Sequence, residues 1–129
     1  MPSADPIGAG IMARIDTLAA ISESPEGLAR HYLTPEHRRA NDLVAGWMRD
    51  AGMTVGEDAV GNVVGRYEGM APGAPALIVG SHLDTVPHGG PYDGALGVIA
   101  ALEVLRVVKE NTIAIFLCIL LISYNQVPE

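Results

Sequence analysis

Apolar residues recur at Ile7, Ile11, Ile15, Leu18 and Ile21, a spacing of three to four that lines one face of a helix. Ser24-Pro25-Glu26-Gly27 follows and marks the end of that element. Thr34-Pro35-Glu36 has the chemistry of a second helix start, with Thr34 as N-cap and Pro35 in the first turn, where a backbone N–H is not needed. Ala40, Leu43, Val44, Trp47, Met48 and Ala51 then form one apolar stripe, and Gly52 supplies the stop. Residues 53–57 and 62–67 read as strands, and a Gly- and Pro-rich turn at 70–75 separates them from residues 76–80. Residues 76–80 are short and wholly apolar, which predicts a strand in a sheet covered on both faces. A helix over 95–108 is apolar on most sides, with Glu103, Arg106 and Glu110 as a narrow polar edge, and is expected to be largely buried. Together these elements predict an α/β fold, a mixed sheet covered by helices.

The pattern changes near residue 110. Before it the chain is rich in Ala, Gly, Val and Arg; from Asn111 onward it has no Gly and is dominated by Ile, Leu, Asn and Tyr. Residues 113–122 form a continuous apolar run, well short of the ~20 residues a membrane-spanning helix needs. The expected division is therefore 1–110 as one unit and 111–129 as an atypical apolar tail that stands in for a strand of the sheet.

Composition narrows the partners. The chain has 129 residues, enough for one domain with a real core. A net charge of -7 with scattered cations argues against a nucleic-acid partner, and Arg38-Arg39, the one adjacent pair, reads as a solvated helix face. A single cysteine, Cys118, rules out an internal disulfide and fits a reducing cytoplasm. Within an apolar run it reads as a buried hydrophobe, not a nucleophile. Asp5, Arg14 and Asp16 interrupt any apolar stretch that could act as a signal peptide.

The chemistry is concentrated in Gly80-Ser81-His82-Leu83-Asp84-Thr85-Val86-Pro87 and, just after it, Tyr92-Asp93-Gly94-Ala95-Leu96-Gly97. These put one histidine and two carboxylates in a glycine-rich loop between an apolar strand and an apolar helix, the place where α/β proteins build their sites. His and Asp suit a borderline divalent metal such as zinc or manganese. If the strand continues, His82 and Asp84 project to one side, and Asp84 accepts the proton of the second imidazole nitrogen and orients the ring. Asp93 returns to the same neighbourhood after a turn at Gly89, Gly90 and Pro91, although an Asp before a helix is also an ordinary N-cap. His88 is a weaker candidate within the loop, and His31 and His37 read as surface residues.

From Leu18 to Lys109 the chain resembles the dinuclear-metal amidohydrolases that include allantoate amidohydrolase and the N-carbamoyl-L-amino-acid hydrolases, relatives of aminoacylases and zinc carboxypeptidases. G-S-H-L-D-T-V-P and Y-D-G-A-L-G-V match the first two metal motifs of that family, and Gly61-Asn62-Val63-Val64-Gly65-Arg66 matches an upstream strand entry. The resemblance implies a zinc-exopeptidase-like catalytic domain, truncated here, with two divalent metal ions (zinc or manganese). It gives His82 as ligand to one metal, Asp93 as the bridge between both, and Asp84 as the catalytic carboxylate that orients His82. It implies hydrolysis of a ureido or carbamoyl C–N bond of a small-molecule substrate, a cytoplasmic location, no membrane association, and a homodimer in the full-length protein. The family places two adjacent glutamates, a general base and a further ligand, after its next strand; here Asn125-Gln126-Val127-Pro128 stands at that point. Two readings follow: the opening of an amidohydrolase active only at full length, or an inactive truncated remnant that binds metal weakly or acts as an interaction module.

Overall fold

The computed structural model describes residues 5–111 and 118–123. Helix α1, Pro6–Ala19, starts at Asp5, whose carboxylate accepts from the Ile7 N–H at 3.1 Å. Helix α2, Pro35–Asp50, starts at Thr34 as expected, the hydroxyl accepting from the His37 N–H at 3.2 Å. Strands β1, Thr54–Glu57, and β2, Val63–Tyr67, form an antiparallel hairpin. Its turn is held by the Asp58 carboxylate, which accepts from the N–H groups of Val60 and Asn62 at 3.0 and 2.9 Å. Strand β3, Ala76–Ser81, leads through the loop into helix α3, Ala95–Glu110, and strand β4, Cys118–Ser123, follows.

The sheet order is β1-β2-β4-β3, so the last strand in sequence is inserted between the two that precede it. β4 runs antiparallel to β2 and parallel to β3, which makes the sheet mixed, in agreement with the expected fold class. Register assigns the faces. Val63, Ser123 and Ser81 align across the sheet, as do Gly65, Leu121 and Val79. A Cβ added to Gly65 would lie 2.9 Å from the sulfurs of Met48 and Met53, so this face meets α2. A Cβ added to Gly97 of α3 would lie 2.8 Å from Ser81 Cβ on that same face. All three helices share one core there, built around Ile15, Leu18, Val44, Met48, Val63, Val98, Leu102 and Leu121.

The opposite face is open. Ala76, Ile78 and Gly80 of β3 lie on that face and are exposed, Ile78 by 64%, which corrects the expectation that residues 76–80 are covered on both sides. An apolar run signals that a strand is sheltered but does not say by what; here β3 has a strand neighbour on one edge and helix cover on one face. α3 departs from expectation in the same way. Val98, Ile99, Leu102 and Leu105 are buried, whereas Leu96 and Val104 face outward. Residues 113–117 of the expected tail strand, and 124–129, which include the positions where the resemblance places an acidic pair, lie outside the described residues.

Glu103 was expected on the polar edge of α3 and is instead buried. Arg14 arrives from α1 to pair with it, and Arg106, one turn further along α3, donates to it at 2.8 Å. The carboxylate thus joins α1 to α3 through a compensated charge. Burial works to raise the Glu103 pKa, but the hydrogen bond from Arg106 and the positive charges of Arg14 and Arg106 prevail, and the group is held below its ordinary 4.5.

Glu103→Gln is expected to cost about 2–3 kcal/mol in urea unfolding near neutral pH, because Arg14 loses this buried counter-charge and Arg106 loses one of its two. A depressed carboxylate stabilises the fold above its unfolded value and loses that contribution as pH falls through the folded one. The gap between Glu103→Gln and the parent chain should accordingly narrow below pH 4.5; a gap that stays constant there would contradict the ion-pair account. Ile78→Lys should lower concentration-dependent light scattering without lowering the unfolding midpoint, since it changes only the uncovered face.

Candidate metal centre

The loop that follows β3 is held by α3 from one side and by the segment between α1 and α2 from the other. Gly94 is the position where side-chain absence is required. Its φ is 70°, and an added Cβ would lie 2.5 Å from the His82 ring and from the His82 carbonyl oxygen. The imidazole is seated directly on this glycine, and Gly97 brings the next part of α3 against Ser81 in the same way. Gly90, with φ 86°, and His88, with φ 60°, turn the chain between the two motifs.

This backbone gathers His82, Asp84 and Asp93. His82 and Asp84 are buried, while the Asp93 side chain is 42% exposed, so the cluster opens to solvent on its Asp93 side. His82 Nδ1 lies 2.8 Å from the main-chain carbonyl of Asp84 and 3.5 Å from the Asp84 carboxylate. Both groups are acceptors, which places the ring proton on Nδ1. The ring is therefore held first by the Asp84 carbonyl, and its carboxylate adds charge at slightly longer range. Nε2 carries the lone pair and faces Asp93, with 3.6 Å between Nε2 and Oδ1. Asp93 does not cap α3: the N-cap is Gly94, and no side chain caps that helix.

A lone pair and a carboxylate converging on one point suit a cation between them. Two donors on one tetrahedral zinc lie roughly 3.3–3.5 Å apart, given metal–ligand distances near 2.1 Å, and the His82–Asp93 separation fits that edge. Among the described residues no group of three or more His, Cys, Asp or Glu side chains forms a complete cage. The residues present fit one edge of a metal site.

The other candidates sort themselves plainly. His88 turns away, its ring lying against Gly27, where an added Cβ would come 3.3 Å from Nδ1. His31 is half-exposed beside Glu23. His37 corrects the surface reading: it is buried, with the Tyr32 ring edge-on at 5.7 Å. Its spacing of three before Ala40 continues the buried stripe of α2, a signal present in the sequence. Arg38 and Arg39 form exposed ion pairs with Glu57 and Glu36, the solvated face expected of them. Cys118 is buried as expected, with its thiol 3.2 Å from Glu68 Oε2. Arg30, fully buried behind the loop, carried no sequence signal at all.

Known proteins resemble the chain in sequence and in fold. Residues 62–122 match the model of Peptidase family M28. An N-carbamoyl-L-amino acid amidohydrolase of Geobacillus stearothermophilus is 47% identical over 81% of this chain and 26% of its own length. An allantoate deiminase of Arabidopsis thaliana is 43% identical over 76% of this chain and 19% of its own. Among solved structures, a hydantoinase/carbamoylase family amidase from Burkholderia ambifaria superposes with a TM-score of 0.86 at 42% identity, covering 91% of this chain and 29% of that one. A putative Zn-dependent exopeptidase from Bacteroides vulgatus, at 20% identity and a TM-score of 0.68, shares the fold over 91% of this chain and 46% of its own. The chain spans about a quarter of the length of the curated relatives it matches. By sequence and by fold the chain is thus similar to part of the N-carbamoyl-L-amino-acid amidohydrolases, the allantoate deiminases and the hydantoinase/carbamoylase family amidases.

Proposed function

We propose that His82 and Asp93 are metal ligands of an amidohydrolase that cleaves a ureido or carbamoyl C–N bond in a small substrate such as allantoate or an N-carbamoyl-L-amino acid. The observation that carries this reading is the convergence of His82 Nε2 and Asp93 Oδ1 at 3.6 Å, with Nδ1 turned to Asp84. The names of the relatives supply the substrate class, and the match to a peptidase family and the fold shared with a Zn-dependent exopeptidase support a metal-dependent reaction.

The residues divide the work. Asp84 holds the His82 proton on Nδ1 through its carbonyl and keeps the lone pair of Nε2 available, while its carboxylate lies 3.5 Å from the same Nδ1. Asp93, whose side chain is more exposed than that of His82, would be the ligand shared between two ions if both were held. Gly94 excludes a side chain from the space the imidazole occupies. One or two divalent cations, zinc or manganese, would polarise a carbonyl and activate water for attack on it. A general base, further ligands and a surface for the substrate's carboxylate complete such a reaction, and the described residues contribute none of these beside His82 and Asp93. A homodimeric assembly and a cytoplasmic location belong to the same proposal; for the second, the support is the single cysteine. No helix among the described residues is long and apolar enough to cross a membrane.

A second reading has an observation in its favour. With two ligands on the described residues, the 129-residue chain by itself is a weak metal-binding module, without hydrolytic activity.

The chain alone is expected to bind zinc or manganese weakly in calorimetric titration, and to release no ammonia from allantoate or N-carbamoyl amino acids. His82→Ala and Asp93→Ala should each weaken binding by more than about tenfold, Asp84→Asn by less, and binding should fade on acidification because the ligands must be unprotonated. Equal affinity in the parent chain and His82→Ala would sink the assignment. Gly94→Ala should cost about 3 kcal/mol or more in stability, since it forces a left-handed φ and a clash with the His82 backbone at once.

A further inference from the structure

Arg30, in the segment joining α1 to α2, is the largest fully buried side chain among the described residues, with 0% exposure. A buried guanidinium is expensive unless its donors are used. Its Nε donates to the Leu83 carbonyl at 2.8 Å, and Nη1 donates to the carbonyls of Leu18 and Ile21 at 2.8 Å each. The main chain adds a bridge: the Arg30 N–H donates to the Thr85 hydroxyl at 2.9 Å, and the Thr85 N–H donates to the Arg30 carbonyl at 2.8 Å.

Those contacts bracket Asp84. The Leu83 carbonyl belongs to the peptide unit before Asp84, and the Thr85 N–H to the unit after it. The second unit also carries the Asp84 carbonyl that receives the His82 Nδ1 proton. One residue therefore fixes both peptide planes around Asp84, and ties them through Leu18 and Ile21 to the end of α1. Burial draws the Arg30 pKa down to about 10, with the Asp84 carboxylate acting in the opposite sense, so the two charges sense each other within the loop.

We propose that Arg30 is a positioning residue for the metal centre: it holds the Asp84 backbone so that the His82 ring keeps its Nδ1–H form and directs Nε2 at Asp93. This rests on the reading of His82 and Asp93 as ligands, and adds to it a residue that touches neither. Without the Arg30 side chain the plane before Asp84 loses its anchor, the Asp84 carbonyl that accepts from Nδ1 is held by the main-chain bridge at Thr85 alone, and the ring is freer to place its proton on either nitrogen.

The test reads the His82 tautomer directly by ring nitrogen NMR on the whole chain, about two pH units above the usual imidazole value, alongside zinc titration. The parent chain should show the Nδ1–H form. Arg30→Met should show a mixture of both forms and bind zinc at least about tenfold more weakly, and Arg30→Lys should recover part of each. Thr85→Val, which removes the acceptor for the Arg30 N–H and keeps the shape, should shift both readouts in the same direction by less, and serves if Arg30→Met does not fold. Arg14→Met, which breaks the Glu103 pair on the far side of α1, should lower the unfolding midpoint and leave tautomer and affinity as they are. Parent-like tautomer populations in Arg30→Met, or in Thr85→Val if the first is unfolded, would overturn the proposal, and so would an equal loss in Arg14→Met. If no variant binds zinc but the tautomer still responds to Arg30, the metal reading fails and the positioning role stands.

Discussion

The close approach of α3 to the end of β3 is the constraint on which the rest of the site depends. Gly94 and Gly97 remove the two side chains that would hold the helix off the strand. That contact brings Asp93 back to His82 after the turn and seats the imidazole against backbone. It also sets the height of α3 over the sheet, and with it the layer in which Val98, Ile99 and Leu102 meet Leu121. Site and core share one packing decision, so a change to either glycine disturbs both.

The sheet exerts a second control. β4 aligns β3 with β2 residue by residue, from Ala76 opposite Cys118 to Ser81 opposite Ser123. The last paired residue of β3 is the one immediately before His82. The ligand thus leaves the sheet at a point fixed by a full ladder of parallel hydrogen bonds, while Asp93 arrives on a helix start. A rigid strand end and a rigid helix end are better supports for a two-ligand geometry than a free loop would be.

Much of this was readable before any coordinates, and the failures share a cause. Thr34-Pro35 and the stripe from Ala40 to Met48 rest on local rules of capping and periodicity, and these hold, while the H-x-D and Y-D-G motifs meet in space at His82 and Asp93. The misreadings involve partners remote in sequence. Glu103 looked like a surface residue because its counter-charge, Arg14, lies 89 positions away. Residues 76–80 looked doubly covered because apolar composition does not report which neighbours are present. Arg30 was invisible for the same reason: its acceptors, Leu18, Ile21 and Leu83, are main-chain carbonyls, and carbonyls have no sequence signature.

The position of β4 carries a consequence for how the molecule comes into being. β1 and β2 pair with each other locally, whereas among the described residues β3 is hydrogen-bonded to β4 alone. A nascent chain that has emerged only as far as α3 has both partners of the β1–β2 hairpin but lacks β4, the strand that pairs with β3, to which the His82 loop is attached. The sheet closes when residues 118–123 slide between β2 and β3, a non-local pairing of the kind that slows folding. During synthesis the ligand loop therefore acquires its support late, and the edges of β2 and β3 that will receive β4 keep their N–H and C=O groups unpaired by it until then.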